Sequence, residues 1–203
     1  VNGTAYVTVN GGEVSDTVYG GGIYSSVSNA VVTVTDGTVG TIYGGSNGYT
    51  GTNVIDAMVT VSGGTVTGNV YGSGQSSDAG SVTVSISGTV KGSVYSSTKN
   101  SKVNTATVTV SGNAQIGDAG GNGIILNSTT VTAAPVLNGV KEFTIEAPLT
   151  NNAKVYVVPP ADAEAGTAIT TNASPSDLSK LALTGITAGL TLAYHIDKSI
   201  RLA

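Results

Sequence analysis

The sequence predicts an all-β fold: a parallel β-solenoid of about five coils, each ~24–28 residues long, closed by an irregular β-rich cap. Three observations carry that prediction. One segment recurs five times at a near-constant period, its apolar residues alternate with a period of two, and the composition suits a narrow interior. Glycine accounts for 29 of 203 residues, about twice the usual share. Only 10% of residues are charged, and there is one Phe, one Met and no Trp. A chain with few charges and many β-branched residues folds, but it cannot fill a thick core.

The copies read AYVTVNGGEVSDTVYGGG (5 to 22), AVVTVTDGTVGTIYGGS (30 to 46), AMVTVSGGTVTGNVYGSG (57 to 74), SVTVSISGTVKGSVYSS (81 to 97) and ATVTVSGNAQIGDAGG (106 to 121). In the opening strand of each copy, Val9, Val34, Val61, Ile86 and Val110 are separated by 25, 27, 25 and 24 positions. The closing residues Tyr19, Tyr43, Tyr71 and Tyr95 are separated by 24, 28 and 24. Because side chains alternate along a strand, those five aliphatics form one inward ladder, while Thr8, Thr33, Thr60, Ser85 and Thr109 line an outer face. Turn pairs follow the strand at Gly11-Gly12, Asp36-Gly37 and Gly63-Gly64, residue types that tolerate positive φ. A tight hairpin also fits such pairs. The likeness runs between copies rather than within them, which favours coils stacked about 4.8 Å apart and a rod on the order of 24 Å long. The polar segments between each Tyr and the next strand absorb the spacing differences.

The signature is lost near Ala134, and the expected division is 1–135 for the repeats and 136–203 for the cap. Strand candidates in the cap are KEFTIEA (141 to 147), AKVYVV (153 to 158), GTAITT (166 to 171), LTLAYHID and SIRLA, with a short helical turn after Ser176. A cap is needed because a solenoid end exposes apolar interior and unpaired strand edges. The N-terminal end carries no comparable cap, and the start at Val1 without an initiator Met leads us to expect a piece of a longer chain.

A net charge of −4 with scattered basic residues argues against nucleic acid as a partner. Lys91, Lys99 and Lys102 are the nearest approach to a cluster and read as solvated edge residues. With no Cys, disulfides and thiolate chemistry are excluded, and no apolar run reaches the roughly 20 residues of a membrane span, so membrane insertion of this segment is not expected.

Motifs that invite catalysis read better as structure. Gly44-Gly45-Ser46-Asn47-Gly48 matches G-x-S-x-G, but no helix follows, and the single His, His195, lies in the distant C-terminal segment. Gly117 to Gly123 holds one carboxylate, Asp118, too few ligands for calcium. Glu13, Asp16 and Asp36 read as turn acids, and Glu142 with Glu146 as the wet face of a strand. Asn2, Asn127 and Asn172 match the glycosylation acceptor pattern by composition alone. The Thr column raises ice binding, against which stand its uneven spacing and single Thr per coil. No enzyme activity and no cofactor are expected.

The copies of VTVxGGTVxGxVYGGG resemble the repetitive regions of large bacterial surface, adhesin-like proteins built on right-handed parallel β-helices. The ending LSKLALTGITAGL is similar to tails of cell-surface proteins of gut bacteria. That resemblance implies a non-catalytic, extracellular structural or adhesive module on a bacterial cell, with a cell-surface glycan or protein receptor as partner. The alternative is a carbohydrate-binding or carbohydrate-cleaving β-helix. The candidate ligand-binding residues are Tyr19, Tyr43, Tyr71 and Tyr95, whose parity turns them outward as a stack spanning roughly 14 Å. The same column also reads as packing between coils with no ligand.

Overall fold

A computed structural model describes residues 3–48, 52–127, 139–185 and 189–203. In it the chain winds into a parallel β-solenoid whose strands all belong to one 17-stranded sheet. The first two coils are single long strands that bend round the cross-section, β1 (Thr4–Tyr19) and β2 (Val27–Tyr43). The third divides into β3 (Asn53–Val61), β4 (Thr65–Val66) and β5 (Val70–Tyr71). The fourth divides likewise into β6 (Asp78–Ile86), β7 (Thr89–Val90) and β8 (Val94–Tyr95). The fifth comprises β9 (Val103–Gly112), β10 (Gln115–Ile116) and β11 (Ile124–Ile125).

Each coil thus has one long side and two short ones, and each side contributes an inward ladder. On the long side Val9, Val34, Val61, Ile86, Val110 and Ile145 are register partners in succession, and all are buried. On the first short side the column is Val14, Val39, Val66, Val90, Ile116, Val155 and Leu181. On the second it is Val18, Ile42, Val70, Val94, Ile124, Val157 and Leu183. The expected inward register therefore holds. The glycine at the corner after the long side takes positive φ in four coils, at Gly12 (73°), Gly37 (83°), Gly64 (64°) and Gly112 (57°).

The coil count differs from the expected five. The ladders pass through about seven coils, so the stack is about 34 Å long. The sixth coil holds β12 (Phe143–Leu149) and β13 (Lys154–Val158). The seventh holds β14 (Ala168–Thr171) and β15 (Leu181–Leu183), with a 3-10 helix (Pro175–Lys180) between them where a helical turn was expected. Strand β12 pairs in parallel with β9, β14 with β12, and β15 with β13. The segment expected to be an irregular cap therefore continues the rod. Only the hairpin of β16 (Leu192–Tyr194) and β17 (Ile200–Leu202) departs, pairing antiparallel with itself and with β14.

Physical reasons explain why the last two coils escape a repeat search. Their ladder partners Val110 and Ile145 are 35 positions apart. Between Ile145 and Leu149 the strand also bulges, and the core gains Phe143, Leu149 and Leu181 beside Val155 and Val157. The expected boundary at 135/136 lies outside the described residues.

Candidate functional site

The four tyrosines are one column. Val18, Ile42, Val70 and Val94 turn inward, so Tyr19, Tyr43, Tyr71 and Tyr95 turn outward by alternation, and each ring is half-buried. Tyr19 and Tyr43 pair in register, as do Tyr43 with Tyr71 and Tyr71 with Tyr95. Ring centroids lie 5.1, 4.8 and 4.8 Å apart, with planes tilted by 10°, 9° and 15°. The rings are stacked on one another, so both faces of Tyr43 and Tyr71 and one face each of Tyr19 and Tyr95 meet a neighbouring ring. What the column offers outward is edges and hydroxyls.

The glycine after each of the first three tyrosines makes this spacing attainable. A Cβ added at Gly44 would lie 2.2 Å from the carbonyl oxygen of Gly72 and 2.8 Å from Val59 Cγ2. One at Gly20 would lie 2.2 Å from the carbonyl oxygen of Gly44. Neither glycine has positive φ, so what is required here is close approach of successive coils rather than a special turn. In the fourth coil Ser96 takes the position, fully buried, and its hydroxyl donates to the Gly139 carbonyl at 2.7 Å.

Polar partners tie the column to a second one beside it. The Tyr19 hydroxyl donates to Gln75 Oε1 at 2.8 Å. Asn69 Nδ2 donates to the Tyr71 hydroxyl at 3.1 Å, while Asn69 Oδ1 accepts from the Ser93 backbone N–H at 2.8 Å in the next coil. Ile23, Asn47 and Gln75 form successive parallel bridges, each four residues after a tyrosine, and Lys99 stands at that offset from Tyr95. Between the two columns runs an open groove of about 290 Å³, lined by Tyr43, Tyr71, Tyr95, Gln75, Thr98, Lys99 and Asn100. Reasoning from the tyrosines alone misses this flank, although the constant offset of four is the signal that finds it. Burial is the main cause raising the Tyr19 hydroxyl above its usual pKa, with the Asp16 charge adding to it. Burial raises Tyr43 too, followed by its ring neighbours Tyr71 and Tyr19.

The other sequence motifs are placed apart. Ser46 is fully buried, its hydroxyl without a hydrogen-bond partner and pointed at Gly21, where an added Cβ would lie 2.2 Å from Ser46 Oγ. His195 is exposed in the β16–β17 turn at the opposite end of the rod. Asp118 accepts from the Gly120 backbone N–H at 2.7 Å and from Asn122 Nδ2 at 2.9 Å, and these bonds, Asn122's first, hold its pKa below the usual carboxylate value. That is a turn, as expected. Among the described residues no three His, Cys, Asp or Glu side chains group to hold a metal ion, and no helix is long and apolar enough to cross a membrane.

On the long side Thr8, Thr33, Thr60, Ser85, Thr109, Thr144 and Thr171 are in register through all seven coils. The uneven spacing is therefore taken up in the loops. The adjacent outward column changes from Tyr6, Val31 and Met58 to Thr83 and Thr107, so the face is not a uniform hydroxyl lattice. It carries a second groove, about 410 Å³, beside the exposed Tyr6 and Met58. No protein-family model, no curated protein and no solved structure matches this chain.

Proposed function

We propose that this chain is a non-catalytic, extracellular module of a bacterial surface protein, a rod that spaces and displays its outward columns. One observation carries the reading: the three inward ladders continue through the coils in register, so almost every strand serves one repeated framework. Such a framework has stiffness along its axis and a periodic surface. Antibodies against the folded rod should label intact cells of the producing bacterium. Labelling that requires permeabilised cells overturns the surface placement.

A second reading is favoured by the groove beside the tyrosines. There the protein binds a carbohydrate chain through the ring edges, with Gln75, Lys99 and Asn100 supplying polar contacts. On arrayed glycans, Lys99→Ala should then weaken retention without lowering the melting temperature, and no new reducing ends should appear. Retention that is unchanged by Lys99→Ala removes the groove from consideration.

A further inference from the structure

A side chain that recurs in register along a parallel stack is held beside copies of itself, and for tyrosine that has a chemical consequence. The sequence contains nine Tyr, no Trp and no Cys, so tyrosine is the side chain that most readily gives up a single electron. Two neighbouring phenols that each lose one electron and one proton can join through their ring carbons.

The column brings those carbons together. Tyr43 and Tyr71, and Tyr71 and Tyr95, have centroids 4.8 Å apart and planes tilted by 9° and 15°, and Tyr19 lies 5.1 Å from Tyr43 at a tilt of 10°. Rings so nearly parallel, on strand positions in register, are close to translated copies of one another. Matching carbons, those ortho to the hydroxyl included, therefore lie about as far apart as the centroids. Carbon atoms touch at about 3.5–4.0 Å, so ring motion of about 1 Å brings two ortho carbons into contact. The rings are half-buried, and the groove beside them opens onto Tyr43, Tyr71 and Tyr95. The Tyr71 hydroxyl accepts from Asn69 Nδ2, which leaves its own proton free of that bond and able to depart.

We propose that the tyrosine column is a site of oxidative cross-linking that staples neighbouring coils through dityrosine. The oxidant is hydrogen peroxide acting through a haem peroxidase. Each of two adjacent phenols gives up one electron and one proton, and part of the resulting radical resides on the ortho carbons. A carbon–carbon bond forms between one ortho carbon of each ring. The hydrogens on those two carbons pass as protons to the oxygens, which restores both phenols. The two electrons and two protons released reduce one hydrogen peroxide to two waters, and the protein is lighter by two hydrogen atoms. A bond between Tyr71 and Tyr95 ties positions 24 apart, and one between Tyr43 and Tyr71 ties positions 28 apart, so either closes a loop that restricts the unfolded chain. The proposal is independent of whether the groove holds a ligand.

Accessibility alone predicts a different product. Tyr6 and Tyr24 are the strongly exposed rings, at 75% and 65%, and collisions through them would join separate molecules. Within the column the next ring is present at an effective concentration on the order of millimolar or above, which dilute protein cannot match.

The test treats the dilute full chain with a haem peroxidase and hydrogen peroxide. Dityrosine fluorescence should appear in the monomer, and its digest should contain peptides joined through neighbouring members of the column, two hydrogens lighter than their sum. Tyr71→Phe keeps a stacked ring but leaves one reactive pair of the three, so monomer fluorescence should fall to about a third. Tyr6→Phe combined with Tyr24→Phe should leave it unchanged. The cross-linked monomer should unfold at a higher denaturant concentration than the untreated protein. Fluorescence confined to dimers and larger species overturns the proposal, as do monomer links that map to Tyr6 or Tyr24, or a monomer yield indifferent to Tyr71→Phe. No coupling under conditions that couple free tyrosine overturns it too, and an unchanged unfolding midpoint in the mapped cross-linked monomer overturns the stapling.

Discussion

The first five coils and the last two share a framework and differ in the spacing and the bulk of what fills it. In coils one to five the three inward ladders are built from Val and Ile, and their partners recur every 24 to 30 positions. In coils six and seven the same columns keep Val155 and Val157 and then take Ile145, Leu181 and Leu183, with Phe143 and Leu149 buried beside them, after a long-side separation of 35 positions and a bulge. The difference teaches that a parallel coil requires alternation and register, whereas residue identity and spacing are free wherever loops take up the slack. The larger side chains gather at the end that must be closed, where the last coil no longer has a neighbour of equal width.

The largest expected effect breaks the comparison at its common element, the inward ladder. Val61→Asp buries a carboxylate among stacked aliphatics and should cost several kcal/mol, whereas Thr60→Asp, one residue away and facing out, should cost under about 1 kcal/mol. Equal denaturant midpoints for the two variants would contradict the register on which both halves depend.

Parity is also what made the regular half legible. Val59-Thr60-Val61 and its counterparts announce the inward face, and the recurrence of Tyr after Val announces the outward column. The strands of the second half were legible one by one, as at Phe143–Leu149 and Lys154–Val158. Their membership in the stack was not, because parallel pairing is a relation between distant segments that short strands do not encode locally. The groove flank was hidden for a related reason. Gln75 and Lys99 sit in loops of unlike sequence, and only the stacking of coils brings that offset into a column.

The second prediction separates the two halves. Phe143 is the only Phe and is fully buried in the sixth coil. Phe143→Ala should cost about 3–5 kcal/mol through the cavity it leaves. Since repeats interact with their neighbours only, the loss should show as faster hydrogen exchange in β12 to β15 while β3 to β8 keep their protection. Uniform loss along the rod would mean that the coils unfold as one unit and that the halves are energetically a single body.

The third concerns the tyrosine column, which ends at the fourth coil, where Ile125 of the fifth and then Val158 of the sixth continue the line. Tyr71→Ala removes a ring stacked on both sides and should cost about 2 kcal/mol. Gly44→Ala attacks the same column from beneath, forcing two coils apart where a Cβ would lie 2.2 Å from a carbonyl oxygen, and should separate the rings without removing one. A Tyr71→Ala protein as stable as the parent would show that the stack contributes nothing to holding the coils together, leaving ligand contact as its role.

The smallest effects are titrations, and they set the two ends of the molecule against opposite extremes of pH. Tyr19 and Tyr43 have pKa values raised above 10.0, chiefly by burial, so the folded state favours their neutral form. Their contribution is complete below the unfolded value and is lost as pH rises through the folded one. In the hairpin turn, Asp197 accepts from the Ser199 backbone N–H at 3.1 Å and from its hydroxyl at 2.5 Å, and it pairs with Arg201. Those bonds, Ser199's first, hold its pKa down from 3.8 to about 2. Its contribution is present above the unfolded value and is lost as pH falls through about 2. Alkali should therefore loosen coils one and two first, seen as phenolate absorbance rising together with exchange at β1 and β2. Acid should loosen β16 and β17 first, and Asp197→Asn should remove that acid response while leaving the alkaline one intact. If Asp197→Asn instead shifts the alkaline transition, the two ends are coupled through the whole rod, and the nearest-neighbour account of the coils is wrong.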